Sequence, residues 1–113
     1  MTLTEIIQNL NLTVLTEARD FSEITPQGGY TSDLLSCVMA GAPFGGVWIT
    51  LQAHSNIVAV AALREQVAVI ITEGAMPDVA SIAKANEEGI VLFTTEKPTF
   101  YVVGKLWEMG VRV

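Results

Sequence analysis

Apolar positions along the chain divide it into segments with helical spacing and segments with the continuous apolar pattern of buried strands. At the amino terminus, Thr2 and Glu5 form a capping-box pattern, and apolar residues follow at helical spacing. This pattern predicts a short amphipathic helix that ends near residues 9–11, and then a short strand over residues 12–15. Residues 16–30 are polar and rich in turn-forming types, which predicts irregular backbone.

The second half of the chain alternates strand patterns with helical patterns. A helix over residues 34–40, which Thr31, Ser32 and Asp33 can cap, comes before this alternation. Strands and helices are then expected in turn over residues 47–51, 57–66, 67–71, 78–88, 90–93 and 99–109. The helix over 57–66 is apolar nearly all round, so we expect it to be buried on more than one side. The alternation predicts a three-layer α/β/α fold with a mostly parallel sheet and right-handed crossovers.

Composition sets the class of protein. The chain has 113 residues, which is one domain over residues 1–113, and 50% of them are hydrophobic. A net charge of −6 is a poor match for nucleic acid or for an anionic membrane. No apolar run is long enough to span a bilayer, and no signal-peptide pattern follows Met1. The single cysteine, Cys37, has apolar neighbours and is expected to be buried, and it fits a reducing cytoplasm.

Polar residues follow the three central strands, and the carboxyl ends of parallel strands share one edge of a sheet. Ligands of open parallel sheets bind beyond these ends. Helix N-termini near Ser55, Pro77 and Thr99 are expected at the same edge, where they favour anions. We therefore expect a small anionic ligand, nucleotide-like or phosphorylated, at this strand-end edge, unless its residues only form caps and turns. The edge comprises Gln52, His54, Ser55, Thr72, Glu73, Gly74, Thr94 and Thr95.

A second candidate ligand site lies earlier in the chain. Gly28, Gly29 and Tyr30 come directly before Ser32 and Asp33. Paired glycines let backbone amides approach a ligand closely, and a capped helix after them favours an anion nest. The alternative is a simple loop that leads into the helix.

Catalytic chemistry has little support in the residues. His54 is the only histidine, and as a general base it needs an orienting partner, for which Glu73 is the nearest by topology. A capping or surface histidine is the simpler interpretation. The scattered carboxylates, one His and one Cys show no metal-ligand spacing, so neither a metal nor another cofactor is expected. The sequence contains no phosphate-binding loop of the G-x-x-x-x-G-K-[ST] type. Thr72 ends a strand, so we expect a substitution there to cost little core packing.

Several short motifs lie in a characteristic order along the chain. A strand ends in Thr-x-Gly at residues 72–74, Glu88-Gly89-Ile90 matches an EEGIP-like step, and Thr99-Phe100 lies near the last helix. These motifs resemble those of the DRTGG domain family, and the blocks 28–36 and 48–56 look like those of its stand-alone members. The chain therefore resembles this family over most of its length. It departs from the family after strand 47–51, where residues 53–57 read Ala-His-Ser-Asn-Ile instead of the pentapeptide that names the family.

The resemblance implies a regulatory or ligand-sensing domain without catalytic activity. DRTGG domains occur attached to phosphotransacetylases and to pyrophosphatases that carry CBS domains, and they resemble the non-catalytic N-terminal domain of HPr kinase/phosphorylase. The leading hypothesis is therefore a domain that binds a small anionic ligand or a partner protein. The alternatives are a structural or accessory subunit of a metabolic or redox enzyme complex and, less favoured, an enzyme that uses His54 and Glu73.

Apolar residues on two helices exceed what a small domain buries. The helix over 57–66 is apolar nearly all round, and the last helix carries Phe100, Tyr101 and Trp107. A domain of this size cannot cover all of this surface internally, so we expect a homodimer with two-fold symmetry.

Overall fold

A computed structural model describes residues 1–113 and contains five helices and five strands. The helices are α1 Leu3–Leu10, α2 Leu35–Gly41, α3 Asn56–Leu63, α4 Val79–Glu88 and α5 Thr99–Glu108. The strands are β1 Thr13–Val14, β2 Gly29–Thr31, β3 Val47–Thr50, β4 Ala68–Ile71 and β5 Leu92–Thr94. Each predicted element is present with its ends shifted by a few residues, and β2 is an additional strand. None of the helices is long and apolar enough to cross a membrane.

The strands form one sheet in the order β1-β5-β4-β3-β2. Strands β2 to β5 are parallel to their neighbours, and β1 alone runs antiparallel, beside β5. Helices α2, α3 and α4 each connect one parallel strand to the next. Because these crossovers lie on the same face of the sheet, β2 to β5 are neighbours in sequence order. The predicted mostly parallel sheet is confirmed.

Helices cover both faces of the sheet, each over its own apolar core. The connecting helices α2, α3 and α4 pack over one face, around Trp48 and Val69. Helices α1 and α5 pack over the other face, around Ile49 and Ile70. Successive residues of a strand point to opposite faces, so β3 and β4 contribute to both cores although neither strand alternates with polar residues. The three-layer α/β/α architecture is confirmed.

Local sequence signals fix several helix ends. The Thr2 hydroxyl accepts the Glu5 N–H at 3.3 Å and the Glu5 carboxylate accepts the Thr2 N–H at 2.9 Å, so the predicted capping box of α1 is formed. Gly89 ends α4 with a φ of 72°, a left-handed conformation that costs glycine no Cβ clash. At these two helix ends, the residues that the sequence predicts to start or stop the helix do so in the structure.

Two local predictions are wrong. Residues 29 and 30 are not irregular: with Thr31 they form β2, because they pair with β3 at the edge of the sheet. Cys37 is exposed, because the short α2 buries only Val38. Helix α3 is packed between α2 and α4 and against the sheet, so it is buried on more than one side as expected, although 59% of Leu63 is exposed on its outer face.

Candidate functional site

The carboxyl ends of β2 and β3 are joined by one acidic side chain. Asp33 accepts hydrogen bonds from the Thr50 hydroxyl and the Leu51 N–H, both at 2.8 Å. The side-chain amide of Gln52 donates to the Asp33 carbonyl at 3.1 Å. Asp33 therefore links the ends of β2 and β3. It also brings together two predicted sites, because Asp33 belongs to the site that begins at Gly28 and Gln52 belongs to the strand-end edge.

Ser32 belongs to the same turn. Its hydroxyl accepts the Leu34 N–H at 3.1 Å, and its carbonyl accepts the indole N–H of Trp48 at 2.9 Å. Trp48 is fully buried, and a buried indole needs such a partner. The predicted cap of α2 by Ser32 and Asp33 is wrong, because the N-cap of α2 is Leu34 and both polar residues bond the end of β3 or the turn instead.

The loops after β4 and β5 are joined by their backbones. Glu73 and Gly74 have positive φ angles of 62° and 74°. Their N–H groups donate to the carbonyls of Lys97 and Thr95, at 2.9 and 3.1 Å. The Thr94 hydroxyl donates to the loop after β4 at 3.2 Å. Helices α4 and α5 leave to opposite faces here, which is where open α/β sheets bind ligands, but in this chain these groups largely bond one another.

Thr72 and Glu73 both contact the start of α5. The Glu73 carboxylate accepts the Thr99 N–H at 2.8 Å, so a carboxylate of the protein already lies at the positive end of this helix. The Thr72 hydroxyl lies 2.5 Å from the Thr99 hydroxyl and 3.4 Å from the Thr50 carbonyl. Thr72 is fully buried, so the expectation that it tolerates substitution is wrong: its side chain lies within the packed interior.

The N-terminus of α3 differs from those of α4 and α5, because no carboxylate caps it. Its N-cap, Ser55, makes no side-chain cap bond, and Nδ1 of His54 accepts the Asn56 N–H at 3.1 Å. At the start of α4, the Asp78 carboxylate accepts the Ser81 N–H at 2.8 Å. Hydrogen bonds from Ser81 hold the pKa of Asp78 below its usual range, and His54 adds a smaller effect in the same direction. Of the three helix N-termini at this edge, only that of α3 lacks an internal carboxylate.

His54 and Glu73 do not form an acid–base pair. His54 accepts from its neighbouring backbone, and Glu73 accepts from Thr99, so each is engaged with a different helix. No group of three or more His, Cys, Asp and Glu side chains is placed to hold a metal ion. The strand-end edge therefore offers hydrogen-bonding groups without a paired acid and base.

The glycines before Tyr30 allow the carboxyl-terminal segment to approach β2. The Gly29 N–H donates to the Arg112 carbonyl at 2.9 Å, and the Gly28 carbonyl accepts the Val47 N–H at 2.9 Å. A Cβ at Gly28 would lie 3.0 Å from the Arg112 carbonyl oxygen, a contact tighter than nine in ten of those that real Cβ atoms make. Neither glycine has a positive φ, and the Gly29 amide is already bonded, so these two residues do not form the expected anion nest.

A cleft that the sequence did not predict lies between β2 and the second half of α5. It has a volume of about 180 Å³, and its lining is almost entirely carbon. The residues that line it are Gly29, Tyr30, Thr31, Ile49, Val103, Leu106, Trp107, Val111, Arg112 and Val113. The apolar residues near the end of the chain were the available signal, but only the docking of this segment beside β2 makes a cleft of them. We call it the β2–α5 cleft.

Comparison with known proteins identifies the fold. No protein-family model matches the sequence, and no curated protein matches it. The chain is similar to a crystal structure of the CBS and DRTGG domains of the regulatory region of Clostridium perfringens pyrophosphatase, complexed with the activator diadenosine tetraphosphate. The TM-score is 0.75 at 18% sequence identity. The chain has a DRTGG-like fold. The similarity covers 91% of the DRTGG-like chain and 44% of the pyrophosphatase chain.

The motif residues of this DRTGG-like domain have structural roles. Thr72 is buried against Thr99, and Gly74 takes the left-handed turn that returns the chain toward α4. These are the Thr-x-Gly and Thr-Phe positions on which the family resemblance depends. The motifs thus fix how the loop after β4 meets α5.

Proposed function

We propose that this DRTGG-like domain is a regulatory domain, without catalytic activity of its own, that senses a small anionic ligand. The observation that carries the proposal is the fold shared with a regulatory region that was crystallised with a nucleotide activator. The separation of His54 from Glu73, each of which bonds a different helix, also favours binding over catalysis.

The N-terminus of α3 is the part of the strand-end edge best suited to an anion. No carboxylate caps it, and its Asn56, Ile57 and Val58 N–H groups donate to Nδ1 of His54 and to the carbonyls of His54 and Ser55, each at 3.1 Å. Because Nδ1 of His54 accepts a hydrogen bond, the neutral imidazole carries its proton on Nε2, where it can donate to a ligand. A helix N-terminus without an internal carboxylate attracts phosphate and carboxylate groups through its dipole.

The test compares Ser55→Glu with Ser55→Gln. A glutamate at this position places a carboxylate where the ligand anion would lie, and the positive end of α3 tolerates it. At about 4 Å, the repulsion is roughly 1 kcal/mol in water and roughly 4 kcal/mol at an effective dielectric near 20. Ser55→Glu should therefore weaken binding between about fivefold and a thousandfold. The matched Ser55→Gln variant should bind within about twofold of the parent.

The probes are ADP, diadenosine tetraphosphate, acetyl phosphate and glucose 6-phosphate. Thermal shift identifies any probe that stabilises the domain, since a ligand at about 100 times its Kd adds about 2.7 kcal/mol to the free energy of unfolding. Calorimetric titration then compares the two variants with the parent. The proposal fails if no probe raises the Tm, if both variants bind equally, or if the domain transfers labelled phosphate from ATP to a protein serine.

An accessory subunit of an enzyme complex is the second candidate function. It is favoured by the exposed apolar side chains of α5, of which Phe100 is 91% exposed. For an accessory subunit, none of the four probes would raise the Tm, and the domain would co-purify in a fixed ratio with one enzyme. A ligand-sensing domain would respond to a probe in the absence of any enzyme.

A further inference from the structure

The outer side of α5 carries an apolar ridge that the domain itself leaves uncovered. Phe100 is 91% exposed and Trp107 is 51% exposed, with Gly104 between them. Residues at this spacing lie on one side of a helix. Trp107 also lines the β2–α5 cleft, so the ridge continues into it. We call Phe100, Gly104 and Trp107 the α5 ridge.

Gly104 has no role within its own domain. It lies in the middle of α5, where glycine is less favourable than alanine, and its φ is not positive. No atom of the domain lies within 4 Å of the place where a Cβ would be. A helix glycine with empty space beside it lets another backbone approach closely.

The β2–α5 cleft has the size and chemistry for one apolar ring. Its volume of about 180 Å³ is comparable with a cavity of about 150 Å³ that binds benzene. Its lining offers almost no polar surface, so a nucleobase or a sugar would lose its hydrogen bonds there. Phe100 is an apolar ring that nothing in its own domain covers.

Phe100 and Trp107 lie at similar distances from Gly104 along α5, on opposite sides of it. With a rise of 1.5 Å per residue, Phe100 lies about 6 Å from Gly104, and Trp107 lies about 4.5 Å from it in the other direction. Two α5 helices that cross antiparallel at Gly104 therefore place the partner's Phe100 beside Trp107. We infer that the α5 ridge is a two-fold homodimer interface in which Phe100 of each copy enters the β2–α5 cleft of the other.

Charge and area are compatible with this arrangement. Acidic and basic side chains lie at both ends of α5: Glu96 and Lys97 come just before it, and Lys105, Glu108 and Arg112 lie in or just after its last turn. An antiparallel pair can therefore match opposite charges at both ends. Aromatic side chains on this helix expose on the order of 400 Å² per copy, about half of what one partner buries in a standard interface. This inference does not depend on the proposed ligand.

The test measures self-association by sedimentation equilibrium over a concentration series. The parent should be a dimer at micromolar concentration, and Phe100→Ala should raise the dimer Kd at least tenfold. Gly104→Ala should give a monomer with a higher Tm, because alanine favours the helix, and yet a weaker dimer, because the added methyl separates the helices. The control Val79→Ala removes an equally exposed apolar side chain from α4, in the opposite layer, and should change nothing.

Fluorescence provides a second measurement on the folded parent. Dilution to monomer should shift the tryptophan emission to longer wavelength, because Trp107 becomes exposed while Trp48 stays buried. The inference is overturned if the parent is still a monomer at about 100 µM, roughly a hundredfold above a micromolar Kd, and that result would assign the ridge to another protein. The inference is also overturned if the parent is a dimer and neither Phe100→Ala nor Gly104→Ala changes the dimer Kd.

Discussion

Glu73 combines an unfavourable backbone conformation with a favourable cap, and the two contributions can be measured separately. Its φ of 62° lies in the left-handed region, which costs a residue with a Cβ roughly 1–2 kcal/mol relative to glycine. Its carboxylate accepts the Thr99 N–H at 2.8 Å, and a hydrogen bond to a charged group contributes about 1.5–3 kcal/mol, near the low end for an exposed side chain. The cap therefore offsets the strain.

Three substitutions of Glu73 divide these contributions. Glu73→Ala loses the cap and keeps the strain, so we expect it to lower the free energy of unfolding by about 1–2 kcal/mol. Glu73→Gly loses the cap but relieves the strain, which should leave it about 1 kcal/mol more stable than the alanine variant. Glu73→Gln keeps an acceptor oxygen and loses only the attraction of the helix end for a charge, about 0.3–1 kcal/mol.

Urea unfolding followed by circular dichroism measures the three differences, and equal m values confirm that the denatured state is unchanged. Thermal unfolding should follow, with about 4 °C for each kcal/mol in a domain of this size. An alanine variant as stable as the glycine variant would refute the strain. A glutamine variant as unstable as the alanine variant would show that the side-chain oxygen does not cap α5.

Three further predictions concern the same edges of the fold. The pKa of Asp78 is lowered by its bonds from Ser81, so the parent should exceed Asp78→Asn in Tm above about pH 4, and this advantage should vanish as the pH falls through the lowered pKa of the folded state. Thr72→Val should cost about 1 kcal/mol in urea unfolding through the lost bond to Thr99, whereas Thr72→Glu should leave a poorly dispersed NMR spectrum because it buries a charge. Gly28→Ala should lower the Tm by several degrees, since its Cβ would meet the Arg112 carbonyl at 3.0 Å, and an unchanged Tm would show that the carboxyl-terminal segment moves freely.

The sequence by itself determined the elements whose signals are local. Thr2 and Glu5 cap α1 as their spacing predicts, because both partners lie within one helical turn. The continuous apolar run before Thr72 predicts a central strand, since a strand covered on both faces needs apolar side chains in both directions. Gly89 predicts the end of α4, because glycine takes the left-handed φ without a clash. The alternation of such segments was enough to predict the three layers.

Tertiary structure alone decided what the polar residues do. Asp33 looked like a helix cap, but it bonds Thr50, 17 residues away, because β2 lies beside β3. Glu73 looked like a group open to a ligand or a partner for His54, but it caps α5, 26 residues further along the chain. A hydroxyl or carboxylate binds whichever donor the strand order brings to it, and residue spacing does not specify that order. For the same reason the β2–α5 cleft exists only after the last residues dock beside Gly29, where the lack of a side chain leaves room for them.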